Sequence, residues 1–238
     1  MLRALTFDFW GTLYHNSYAE EERLHILQEA LEHHGQPRSR DQMVEAYEHA
    51  RSVWDRVWRQ DQRSIPIDRW LEELLGHLAV DLSGDGEVRL GREIEEVYLS
   101  GSEPRPVEGV REILPVLSRT HRLGLISDTG LTPGRVLRRV MRRDGLLSFF
   151  EALTFSDEFG KAKPQTEPFH HTLGLLDTPP EQAAHIGDLP ETDLKGARQA
   201  GMMAILFLGV SGREDGRDLA DGVFESYSEL EELLERLQ

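Results

Sequence analysis

One strand pattern is cut off from every other by a long stretch that contains only helices. Residues Leu2 to Phe9 (LRALTFDF) read as a short apolar strand ending at Asp8, with the turn signal Gly11-Thr12 behind it. From about Ser17 to Ser100 no strand pattern occurs. After the turn-rich segment Gly101 to Pro106, strands and helices alternate to the end. Alternation of this kind implies a parallel sheet covered by helices on both faces. The expected fold class is therefore α/β, a three-layer core broken after its first strand by an all-helical insertion of about ninety residues.

Within the insertion, Leu24, Leu27 and Leu31 repeat at helical spacing, and Gly35 supplies a stop. Ser39 and Gln42 form a capping box for a second helix, whose stripe runs Met43, Tyr47, Ala50, Trp54, Val57 and Trp58. Trp70 to Leu78 and Ile94 to Tyr98 supply two more amphipathic segments, so a bundle of four helices is expected, with its tryptophans in the bundle core. Beyond it the pattern predicts a helix over Val107 to Leu117, the strand RLGLIS ending at Ser127, and a helix capped by Thr132 with Pro133 at its first position. Then come a strand EALTFS, a loop SDEFGKAKP, a helix over Glu167 to Leu176 and the strand AAHIGD ending at Asp188. A helix over Thr192 to Ala200, the strands MAILFLG and DGVFES, and a final helix opened by a Ser228/Glu231 capping box complete the chain.

Composition removes several functions. There is no cysteine, hence no disulfide framework, thiolate zinc site or cysteine nucleophile. Mean hydropathy is −0.47 and no apolar run approaches the ~18 residues of a membrane span, so no membrane partner is expected. The opening residues lack a signal-peptide pattern, and the expected location is cytoplasmic. A net charge of −16 disfavours nucleic acid as a partner. It leaves room for a locally cationic site, and the only three lysines are Lys161, Lys163 and Lys195. No H-E-x-x-H occurs, and the pairs His33-His34 and His170-His171 are helix neighbours that do not converge on one metal.

In open parallel sheets, ligands bind beyond the carboxyl ends of the strands. The polar residues there are Asp8, Ser127 with Asp128, Lys163, and Asp188 with Asp193. Singly, an aspartate after a strand is an ordinary cap or turn former. Together they suit phosphoryl chemistry: a carboxylate nucleophile, two acids for a hard cation such as Mg²⁺, and a hydroxyl, loop amides and an ammonium for phosphate oxygens.

These same residues carry a resemblance. FDFWGTL resembles the first motif of the haloacid dehalogenase superfamily of hydrolases, whose leading aspartate is the nucleophile. GLISDT, KPQTEPF and HIGDLPETDLKGARQAGM are similar to its second, third and fourth motifs, in the right order. The helical insertion resembles the alpha-helical cap of one subfamily. The resemblance implies a Rossmann-like core over residues 1–14 and 106–238 and a cap over 15–105. It implies that Asp8 is the nucleophile, with Ser127 and Lys163 on the transferring phosphoryl group. Gly11, Thr12 and Asp128 would join them around the phosphate. Mg²⁺ would be held by Asp8, the backbone carbonyl of Trp10, Asp188 and Asp193. The implied partner is a small phosphorylated substrate, and the chain would be a monomer or homodimer.

One position departs from the family pattern. Its phosphatases carry a second aspartate two residues after the nucleophile, to protonate the leaving group and activate water; here that position is Trp10. An indole has one N–H and no proton chemistry at neutral pH. Three readings follow. One is a Mg²⁺-dependent phosphohydrolase that uses another acid (Asp128, Glu191 and His15 are candidates) or takes easy leaving groups such as acyl phosphates. The second is a metal-independent dehalogenase-like hydrolase, since family dehalogenases also have an aromatic residue there. The third is a non-catalytic phosphate- or partner-binding module. Phosphonate cleavage through a cap lysine is excluded, because no lysine precedes Gly160.

Overall fold

The computed structural model describes residues 1–237. Six strands form one parallel sheet: β1 (Ala4–Phe7), β2 (Arg122–Ser127), β3 (Ala152–Phe155), β4 (Ala183–Gly187), β5 (Met203–Phe207) and β6 (Gly222–Phe224). Their order across the sheet is β3-β2-β1-β4-β5-β6. That order reverses direction between β1 and β4, and a crevice opens beyond the strand ends at such a switch point. Asp8 leaves β1 and Asp188 leaves β4, so the two carboxylates are placed at that crevice by topology.

Side chains alternate across the sheet, which separates two apolar layers. Leu5, Phe7, Leu125, Ile186 and Phe207 pack with α5 (Val110–Leu117), α6 (Gly134–Arg143) and α10 (Leu230–Arg236). Ala4, Ile126, Ala183 and Leu206 face the other way, onto α8 (Thr166–Leu175) and α9 (Lys195–Gln199). The three-layer expectation holds. Between β1 and β2 lie α1 (Glu20–His33), α2 (Arg40–Asp61), α3 (Ile67–Leu78) and α4 (Ser83–Glu95), with a core of their own built on Leu24, Leu31, Tyr47, Trp70 and Leu74. Ser39 and Gln42 make the reciprocal capping box at the start of α2. No helix among the described residues is long and apolar enough to cross a membrane.

Several local expectations are corrected. Thr132 does not cap α6; its hydroxyl accepts from Arg23 at 2.8 Å, Pro133 is the cap residue, and the Asp157 carboxylate takes the Gly134 N–H at 3.2 Å. A tertiary acceptor has replaced the local one. The segment after β3 is not all loop, since one helical turn, α7 (Ser156–Phe159), supplies Asp157. The helix after β4 starts earlier than Thr192, in a π-helical turn Pro190–Leu194. The last cap is Ser226, whose side chain accepts from Ser228 N ahead of a 3₁₀ turn, rather than Ser228. Of the insertion tryptophans, only Trp70 is fully buried; Trp54 and Trp58 are half-buried and line a cleft.

Candidate active site

The cleft has a volume of about 580 Å³ and lies between the strand ends and the helical insertion. Asp8, Trp10, Asp128, Lys163 and Asp188 line its sheet side, and Trp54, Trp58 and Arg59 from α2 line the other. Of the sequence-predicted residues, Gly11, Thr12, Ser127 and Asp193 lie behind this lining. Ser127 is buried, with only a long contact of 3.4 Å from its hydroxyl to Asp128 O. The Thr12 hydroxyl is buried without a partner among the described residues.

The centre of the site is one ammonium among carboxylates. Lys163 Nζ lies 2.6 Å from Asp8 Oδ1 and 2.6 Å from Asp193 Oδ1, and all three side chains are buried. Oxygens of Asp8, Asp188 and Asp193 approach within 4.8 Å of one another. Two glycines permit this. Gly11 has φ +70°, and a Cβ there would stand 2.3 Å from Asp188 Oδ2; a Cβ on Gly187 would stand 2.3 Å from Asp193 Cγ. Such contacts are far inside van der Waals distance, so a side chain at either position would push a carboxylate out of the cluster.

The carboxylates are not equivalent. Burial would raise Asp193, but Lys163 and then His185 overcome it and hold it below the usual carboxylate range. His185 Nε2 is 3.2 Å from Asp193 Oδ1, and Leu189 N donates to Oδ2 at 3.0 Å. Since burial keeps His185 neutral and an ionised carboxylate only accepts, the network assigns the ring proton to Nε2. The other nitrogen, Nδ1, then accepts from Thr6 Oγ1 at 2.9 Å. Asp8 has only Lys163: burial lifts it well above the carboxylate range, Lys163 opposes this, and Asp193 and Asp188 reinforce it. Burial and then Asp193 lift Asp188 to about 7, and its Oδ1 is buried with no hydrogen-bond partner among the described residues. Lys163 itself stays protonated, because Asp193, Asp8 and Asp128 outweigh the effect of burial.

An orphaned carboxylate oxygen beside two further acids, with a single ammonium between them, fits a hard divalent cation. Asp193 has both oxygens engaged and acts as a clamp on Lys163. Asp8 and Asp188 keep free lone pairs, and the Trp10 carbonyl accepts no hydrogen bond among the described residues. The Trp10 indole lines the cleft, edge-on to Phe9 at 4.8 Å and 5.9 Å from Tyr98.

Asp128 is fastened from both sides, accepting from Lys163 N at 3.0 Å and from Trp58 Nε1 at 2.9 Å. The second bond ties α2 to the strand ends. Glu191 lines the cleft but pairs with Arg213 at 3.1 Å, whereas His15 pairs with Glu108 outside it. Lys161 pairs with Glu167 at the surface, so Lys163 alone reaches the carboxylates. Sequence reasoning missed Thr6 and His185. Their signal was a polar residue inside an apolar strand, which in a sheet covered on both faces must find a buried partner. Arg23, Trp54 and Trp58 were hidden in helical stripes.

The sheet order and the carboxylates at its switch point define a Rossmann-like three-layer α/β protein with an acidic site at the strand ends. A family model described as haloacid dehalogenase-like hydrolase matches residues 2–201, and the chain belongs to that family. It is 27% identical over 128 residues to a glyceraldehyde 3-phosphate phosphatase of Methanocaldococcus jannaschii, covering 53% of each chain. Against a phosphoserine phosphatase of Thermus thermophilus it is 30% identical over 120 residues, covering 50% of this chain and 48% of the relative. The matched region thus spans about half the length of these curated relatives. Among solved structures, a 2-haloacid dehalogenase from Pseudomonas syringae pv. Tomato DC3000 superposes with a TM-score of 0.72 and 26% identity, each chain covered at 100%. A HAD phosphatase from Thermococcus onnurineus gives 0.65 and 23%, covering 98% of both.

Proposed function

We propose that this chain is a Mg²⁺-dependent phosphohydrolase acting through an aspartyl phosphate on a small phosphorylated metabolite with a good leaving group. The observation that carries the reading is the buried cluster of Asp8, Asp188 and Asp193 around Lys163, with Asp188 Oδ1 left unpaired. In this reading residues 1–14 and 106–238 form the catalytic core and residues 15–105 a cap over the leaving group. Asp8, Asp188 and the Trp10 carbonyl would hold the cation, with Asp193 behind them. Bound there, it would neutralise the excess carboxylate charge and polarise the phosphoryl group.

Lys163 binds Asp8 Oδ1, so Oδ2 is the nucleophile. Its lone pair forms a bond to phosphorus while the bond from phosphorus to the leaving oxygen breaks, and the bonding pair departs on that oxygen. Ser127, Lys163 and the amides around Gly11 and Thr12 bind the phosphoryl oxygens. Water then attacks the same phosphorus, and the bond from phosphorus to Asp8 Oδ2 breaks with its pair on that oxygen. Both protons of the water leave on the phosphate, which exchanges them with solvent. Trp10 supplies no proton in the first half, so a leaving group that is stable as an anion is required.

Acetyl phosphate and aryl phosphates are expected to be hydrolysed in the presence of Mg²⁺, and alkyl phosphates to react little. Asp8→Asn should reduce turnover by roughly 10³-fold or more. Retained hydrolysis by that variant, or activity indifferent to Mg²⁺, would overturn the reading. The aromatic Trp10 and the likeness to a 2-haloacid dehalogenase favour a second reading, dehalogenase-like hydrolysis without metal. Halide release from a 2-haloacid in the presence of a chelator would establish it. If neither reaction occurs, the chain is a binding module.

A further inference from the structure

Four arginines line the cleft: Arg23, Arg51, Arg59 and Arg213. Three are exposed or at the rim, where water solvates them. Arg51 pairs with Glu20 at 3.7 Å, Arg213 with Glu191 and Asp215, and Arg59 lies over the Trp58 ring at 5.3 Å. Arg23, on α1, is different. It is buried, with 5% of its surface exposed, and forms no ion pair among the described residues. Its Nε donates to Ile94 O at 3.3 Å, Nη1 to Tyr18 O at 2.6 Å and Nη2 to Thr132 Oγ1 at 2.8 Å. A guanidinium has five N–H groups; the Tyr47 hydroxyl takes up one of the remaining two, and no carboxylate among the described residues stands within ion-pair distance. The Tyr98 ring, 5.6 Å away, offers only its face. A buried cation without a counter-charge is costly, and its natural complement is an anion.

The neighbours of Arg23 are donors too. Tyr47 lies beside it in the lining of the cleft; its hydroxyl oxygen accepts from Arg23, and its own O–H has no acceptor among the described residues. Trp54 Nε1 is buried without an acceptor among the described residues, and its ring edge faces Gly130, two residues from the Thr132 that Arg23 holds. Donors without acceptors match a group that only accepts, and a carboxylate is such a group.

We propose that Arg23, Tyr47 and Trp54 form a carboxylate subsite under the helical insertion, so that the substrate carries a carboxylate on its leaving group, beyond the phosphoryl end held at Asp8 and Lys163. This proposal rests on the phosphohydrolase reading for the reacting end alone.

The test compares 3-carboxyphenyl phosphate with 3-carbamoylphenyl phosphate, two aryl esters of similar shape and leaving-group acidity. A charge-assisted pair in a dry site predicts a kcat/KM preference for the carboxylate of roughly 10- to 100-fold. Arg23→Lys keeps the charge but loses the planar fork, and should shrink the preference by about 10-fold. Trp54→Phe removes the N–H donor together with part of the ring; because the lost volume acts on both esters alike, the donor loss is read in the ratio, which should shrink by roughly 3-fold. A wild-type preference near one overturns the proposal. So does an Arg23→Lys or Trp54→Phe enzyme that loses activity equally on both esters, since that marks a clamp between α1 and the 130–132 loop. If neither ester is hydrolysed, the phosphohydrolase reading fails, and tryptophan-fluorescence titration with benzoate and benzamide decides the subsite. Preferential benzoate binding lost in both variants supports it, and equal binding refutes it.

Discussion

The two sides of the cleft are built on opposite principles. The sheet side packs an ammonium against carboxylates at 2.6 Å and uses glycines so tight that a methyl group would collide with them. Its groups are held by strand ends, and each is tied to a short motif. The insertion side is a helical face lined by Arg23 from α1 and Tyr47, Trp54 and Trp58 from α2, where the Trp54 indole N–H is left without an acceptor among the described residues. In the proposed phosphohydrolase, the side that would perform the same chemistry on any substrate is over-determined in geometry, and the side that would choose among substrates is assembled from residues that packing alone would accept.

The largest expected effect lies on the sheet side. Lys163→Met leaves Asp8 and Asp193 facing each other in a buried site, and should cost about 3–5 kcal/mol of stability, read by urea unfolding. The wild type should also lose stability in acid. Asp193 has a depressed folded pKa, so its contribution is present above the ordinary carboxylate value and is lost as pH falls below it. A Lys163→Met protein as stable as the wild type would break the contrast, because the cluster would then tolerate looseness as the helical face does.

Trp10 stands where the two sides meet. Trp10→Asp should raise the alkyl-phosphate rate by roughly 10- to 10³-fold through a restored general acid, and acyl-phosphate turnover far less. Trp10→Ala is the control for the space vacated by the indole. An equal gain in Trp10→Ala would assign the effect to access and group Trp10 with the insertion side.

Mg²⁺ should stabilise the protein by about 2.7 kcal/mol at a hundred times its Kd, seen as a rise in Tm. At a fixed Mg²⁺ concentration the gain should be larger at about pH 8 than at about pH 5.5, because Kd falls as Asp188 ionises. Asp188, raised to about 7, is neutral below that value and its charge destabilises the metal-free fold above it; the cation offsets that charge. An unchanged gain across this range would show that Asp188 is not a ligand.

The smallest effect is confined to the insertion. Ser39→Ala removes the capping box of α2 and should lower stability by about 1 kcal/mol in urea unfolding while leaving kcat alone. A drop in kcat of the same variant would mean that α2 must be held rigid for the reaction, which would narrow the difference between the two sides.

Much of this molecule follows from short-range sequence logic. The change from helical periodicity to strand–helix alternation at Gly101 to Pro106 marks the return to the sheet, and each strand core has its expected place. Asp8, Asp128, Lys163 and Asp188 were legible because parallel topology brings strand ends to one edge, so sequence position becomes spatial position. The Ser39 cap was legible for a similar reason, since its acceptor and donor are three residues apart.

What tertiary structure decided is which polar group answers which. Thr132 reads locally as a helix cap, yet it accepts from Arg23, 109 residues away in sequence, and Asp157 takes over the cap. Thr6 and His185 look like flaws in apolar strands until the parallel register sets them side by side, where they orient Asp193 on Lys163. Trp54 and Trp58 fit a helical stripe, and only docking of the insertion on the strand ends turns them into a cleft wall, with Trp58 bonded to Asp128. Periodicity reports which face of an element is buried, because burial acts on every residue of that face alike. It carries no record of partners, because a hydrogen bond or an ion pair joins two particular atoms that the chain brings together only once it has folded.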